Sequence, residues 1–113
     1  MNNQQEKNKI NIKEGTITFW VKENSINWND NQSTVFVNFS NSEGSIFIVK
    51  DRDKKLKFFH VVLGKGKTDV EVDVSSLSNN ERHFIAATWS LEKKEIALYV
   101  DGDKFKNLSR INY

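Results

Sequence analysis

Three carboxylates alternate with three valines in DVEVDV, setting Asp69, Glu71 and Asp73 against Val70, Val72 and Val74. Successive side chains of an extended strand point to opposite faces, so this spacing places all three acids together. Glycoside hydrolysis needs two carboxylates on one side of a sugar bond, one as acid and one as nucleophile or base. The same alternation is also the ordinary pattern of a half-buried strand with one wet face. Nucleophilic catalysis has less to draw on. His60 and His83 are the only imidazoles, cysteine is absent, and no Gly-x-Ser-x-Gly elbow exposes a serine. His60 alternates with Phe58 and Val62 and is expected inside, as a satisfied core histidine. His83 opens a strand beside Phe84 and is expected to bond a neighbour or solvent. Two histidines without carboxylate help make no zinc site.

Calcium takes six to eight oxygens, and closely spaced aspartates on loops supply several of them. Asp51 and Asp53 in KDRDKK and Asp101 and Asp103 in VDGDK have that spacing. Both pairs stand among basic residues, and the stronger reading is turn chemistry. Sugar recognition asks instead for an aromatic face beside amides and carboxylates. Trp28 in INWNDNQ, followed by Asn29, Asp30 and Asn31, is the one loop where both components meet. This loop is the expected ligand site, and the plainer alternative is that Trp28 folds back as a lid on the sandwich.

The elements that must carry these residues are strands. GTITFWVKE sets Ile17, Phe19 and Val21 on one face and Thr16, Thr18, Trp20 and Lys22 on the other. TVFVNFS is expected to place Val35, Val37 and Phe39 opposite Phe36 and Asn38. SIFIVK and LKFFHVVLG read as a hairpin across a charged turn, as do RHFIAATWS and EIALYVD across LEKK. Asp101-Gly102 favours a tight turn with positive φ, after which KFKNL starts a last short strand. No long stretch holds a 3.6-residue apolar period, so the fold class is all-β and antiparallel.

At 113 residues the chain fits one domain, expected over residues 10–113 behind a disordered polar tail at 1–9. A hydrophobic fraction of 37% with 12% aromatics suffices for a core. Lys and Arg total 17 against 15 acids, interleaved along the chain, which argues against a nucleic-acid binder with its one-sided basic patch. No apolar run is long enough for a signal peptide or a membrane span. Without cysteine there is no disulfide or thiolate site from which to infer a compartment.

Three segments together resemble the laminin-G-like jelly rolls of the concanavalin A-like lectin and glucanase superfamily. Gly15, Thr16, Phe19 and Trp20 match the opening strand; His83, Ala86, Thr88 and Trp89 match a central strand; Leu98, Tyr99, Val100, Asp101 and Gly102 match the following hairpin. The likeness runs over about residues 12–105, in order and with sensible spacing. It departs from the pattern at Arg82, where many relatives carry an aromatic, and at Phe84, which replaces a second histidine. The resemblance implies an antiparallel two-sheet sandwich in which Trp20, Trp89 and Tyr99 pack as scaffold. It also implies calcium at the rim as the one cofactor to consider, and an extracellular or cell-surface setting. Laminarinase-like members carry Glu-x-Asp-x-Glu, whereas here the order is inverted to Asp69, Glu71, Asp73, and each shorter aspartate changes the reach to the sugar.

The chain stops soon after the Asp-Gly turn, where full jelly rolls continue, so a short or truncated variant with an open strand edge is expected. The functional reading is a non-catalytic binding or adhesion module, with carbohydrate the first ligand class and a protein surface the second. The alternatives are a structural or self-assembling domain that forms a homodimer through its edge, and a glycoside hydrolase using Asp69, Glu71 and Asp73.

Overall fold

The computed structural model describes residues 10–113, and the expected disorder of residues 1–9 lies outside them. Eight strands follow in order: β1 (Glu14–Val21), β2 (Thr34–Ser40), β3 (Gly44–Lys50), β4 (Lys55–Val62), β5 (Gly66–Asp73), β6 (His83–Ser90), β7 (Glu95–Val100) and β8 (Phe105–Arg110). They form two antiparallel sheets of four strands, ordered β1-β6-β7-β8 and β2-β3-β4-β5. The second sheet is a simple meander. In the first, β1 reaches past the whole meander to pair with β6, Gly15 opposite Trp89 and Val21 opposite His83.

Alternation decides which side chains meet between the sheets. Ile46, Ile48, Leu56, Phe58, Val70, Val72 and Val74 come from one layer and Ile85, Ala87, Trp89, Ile96, Leu98 and Val100 from the other, all buried. At about 25 cal/mol per Å² of apolar surface removed from water, this layer is the main favourable contribution to folding. Gly15 belongs to it by absence. A Cβ there would stand 2.6 Å from the Trp89 ring, so only glycine lets the indole lie across β1. The Trp89 Nε1–H then donates to the Asn11 carbonyl at 2.7 Å, which satisfies its one polar atom.

The two expected hairpins form, β3 with β4 and β6 with β7, and the last short strand is β8. Asp101 and Gly102 both take positive φ, 56° and 71°, as the dipeptide predicts. The alternation expected in TVFVNFS is interrupted. Val35 pairs with Val49 and Val37 with Ile48, leaving Phe36 without a partner. This bulge moves the next residues by one step, so Phe36, Val37 and Phe39 all reach the core while Val35 is left outside, 53% exposed.

His60 is fully buried, as expected, but satisfied at one nitrogen only: Nε2 lies 2.8 Å from the Ile12 carbonyl, while Nδ1 has no partner among the described residues. Burial pushes its pKa below the usual imidazole value, against a smaller opposing effect of that hydrogen bond.

Candidate binding face

The loop proposed from sequence is assembled for structure. Trp28 is 1% exposed, stacked on Phe36 at 6.1 Å and meeting His83 edge-on at 5.6 Å. It bridges β2 and β6 at one end of the sandwich, so the exposed-platform reading of Trp28 is corrected and the lid alternative holds. The reason is tertiary: Asn27 and Asn29, themselves exposed, bond the segment before β6 and so hold the loop over the end of the sandwich. Asn79 Oδ1 accepts from the Trp28 amide at 2.7 Å, its amide nitrogen donates to Asn27 and Asn29, and Asn29 Nδ2 donates to the Ser75 carbonyl.

Asp30 is also engaged. Lys50 continues the inward parity of Ile46 and Ile48 and is fully buried. Its ammonium meets Asp30 Oδ1 at 2.6 Å and the carbonyls of Asp30 and Gln32 at 2.9 Å each. All three ammonium donors are thereby used. The Lys50 hydrogen bond holds the Asp30 carboxyl below its usual range. Among the described residues, Asn31 alone of the four expected ligand residues is exposed without such a bond to a distant element.

The aspartate pairs are likewise committed. Asp51 and Asp53 flank Lys57 at 3.2 and 3.0 Å, and Asp51 also caps the Arg52 amide, the leading cause of its lowered pKa. Asp101 accepts from the Phe84 amide at 2.9 Å and lies 2.7 Å from His83 Nδ1, while Asp103 is exposed beside Lys106. His83 Nε2 meets the Ser78 carbonyl at 2.8 Å, so both its nitrogens face oxygens. Among the described residues no three His, Cys, Asp or Glu side chains gather as a metal site. On the outer face of β5, Glu71 pairs with Lys55 at 3.1 Å, and Asp73 is held below the usual carboxylate range by Ser75.

The exposed aromatic is on a strand. The outer face of the β1-β6-β7-β8 sheet carries Thr16, Thr18 and Trp20 from β1, Phe84, Ala86, Thr88 and Ser90 from β6, Ala97 and Tyr99 from β7, and Lys106 and Leu108 from β8. Trp20 is 58% exposed and Leu108 60%. Trp20 leans on Phe84 with centroids 5.0 Å apart, and the Arg82 guanidinium lies 5.4 Å from its ring centre. The two departures from the family pattern, Arg82 and Phe84, are therefore the two residues that support this indole.

Small side chains keep the middle of the face low. An open depression of about 580 Å³ runs from there to the β6–β7 turn, bordered by Glu14, Thr16, Thr88, Ser90, Lys93, Glu95 and Tyr99. The expected scaffold role holds for Trp89 but not for Trp20, and Tyr99 is half-buried on the outer face. The missed signal was in the pattern already: Trp20 shares parity with Thr16 and Thr18, the polar side of β1.

A laminin G family model, described as the concanavalin A-like lectin/glucanases superfamily, matches residues 3–110. No curated protein matches the chain.

Proposed function

This chain belongs to the concanavalin A-like lectin/glucanase superfamily, and we propose that it is a non-catalytic binding module whose ligand is a carbohydrate held on the outer face of the β1-β6-β7-β8 sheet. One observation carries the reading: the depression beside Tyr99 combines an aromatic ring, the Glu14 and Glu95 carboxylates and the Thr16, Thr88 and Ser90 hydroxyls. A sugar presents the matching chemistry, an apolar C–H surface toward a ring and hydroxyls toward acids and alcohols. Trp20 and Phe84 extend the apolar part of the face. A module of this kind serves attachment at a cell surface or in a secreted protein.

The absence of catalysis is part of the proposal. A glycosidase acid needs a raised pKa, whereas Asp73 is shifted down and the Glu71 carboxylate is taken by Lys55. A glycan array followed by titration calorimetry tests the site. Binding that falls at least about tenfold in Tyr99→Ala, with the fold intact, supports it. Binding that is indifferent to Tyr99→Ala and Trp20→Ala, or reducing-sugar release from β-glucans lost in Glu71→Gln, would replace it.

A further inference from the structure

We infer that the free edge of β1 is a self-complementary docking strand, which joins two copies of this chain into one continuous eight-stranded sheet. Among the described residues β1 has a strand on one side alone. The other sheet edges are protected. β2 carries the bulge at Phe36, which disrupts regular pairing, and β8 leans on β5, with Asn107 Nδ2 donating to the Glu71 carbonyl at 3.1 Å. β1 runs for eight residues without a bulge or proline.

Backbone parity fixes which groups the edge offers. The Leu91 amide donates to the Lys13 carbonyl at 2.8 Å, which continues the β1–β6 register and shows that odd residues of β1 turn toward β6. The Asp101 amide donates to the Phe84 carbonyl at 2.8 Å, so even residues of β6 turn toward β7 and leave its odd ones for β1, in agreement. The N–H and C=O groups of Thr16, Thr18 and Trp20 therefore point to the open side.

An antiparallel pairing of two β1 strands about a two-fold axis at Thr18 uses those groups. Thr18 faces Thr18 of the second copy, Thr16 faces Trp20, and about six backbone hydrogen bonds form across the seam. The register is selected by charge. It sets Glu14 opposite Lys22 at both ends of the seam, all four side chains being exposed and opposite in sign. Sliding by one allowed step either way puts Glu14 against Trp20, or against Asn24 with its positive φ of 62°. Side-chain faces stay matched, so the two outer faces become one surface and each Trp20 is covered in part by the second copy's Thr16 and Thr18.

Sedimentation equilibrium on the full chain tests this, with charge exchange as the control. Lys22→Glu turns both terminal attractions into repulsions and is expected to weaken dimerisation about tenfold. Glu14→Lys combined with Lys22→Glu restores opposite signs and is expected to recover the dimer to within a few-fold. Thr18→Lys places two ammonium groups at the axis and is expected to give monomer, with an unchanged circular dichroism spectrum because Thr18 is exposed. Trp20 emission should shift to shorter wavelength with concentration in the wild type and not in Thr18→Lys. A wild type that stays monomeric to near-millimolar concentration overturns the inference. So does a dimer insensitive to Lys22→Glu and Thr18→Lys, or a double variant that does not recover.

Discussion

The loop around Trp28 and the outer face around Trp20 are built from opposite materials, and each works against its composition. The loop is rich in asparagine and aspartate, yet its indole is buried, and Asn27, Asn29 and Asp30 are spent on Asn79, Ser75 and Lys50. The face belongs to regular strands, yet it keeps an indole and a leucine in water. A polar loop can bury its one aromatic when its amides bond a neighbouring segment and its carboxylate meets a buried cation, because unsatisfied buried groups are costly. A strand residue turns outward when parity demands it, whatever its hydrophobicity. Composition suggests binding at the first region, and accessibility supports it at the second.

That contrast predicts that the loop reports in stability and the face in binding. The largest effect is expected for Trp28→Ala, which empties the end of the core and should cost about 4 kcal/mol in urea unfolding. An unfolding midpoint close to wild type would restore the loop as an accessible site. Lys50→Met keeps the buried stem but leaves the Asp30 and Gln32 carbonyls without their donor, at a cost of about 2 kcal/mol. Faster amide exchange confined to residues 27–34 would locate the loss.

A further check separates the interior from the face by pH. His60 has its pKa lowered by burial, so the unfolded chain binds a proton more readily than the folded one. Stability that His60 leaves intact at pH 7 should therefore decline as pH falls below about 6.5, the unperturbed histidine value. His60→Leu should flatten that part of the profile, and an unchanged slope would assign it to another group. The smallest stability change is expected for Trp20→Ala, within about 0.5 kcal/mol. Titration calorimetry against an array-identified glycan would then show whether its effect lies in affinity instead.

How far the sequence could be read varied with the range of the interaction. Strand alternation in β1 and β5, both hairpins and the Asp101-Gly102 turn follow from neighbouring residues, and they formed as read. The β2 bulge did not, because its one extra residue is set by pairing with β3 and leaves no mark in TVFVNFS. His83 and Asp101 each looked local, as a strand opener and a turn residue, but they meet 2.7 Å apart across 18 positions.

The sequence by itself determined the all-β class, the family and the parity of each regular strand, which included Trp20 on the polar side of β1. These depend on periods of two residues and on short turns, where the chain constrains itself. Tertiary structure alone decided that Trp28 closes the sandwich, that Lys50 is a buried cation held by Asp30, and that among the described residues β1 keeps an open edge. Those outcomes depend on which distant segments share space. A loop without periodicity carries no internal record of the side it will face.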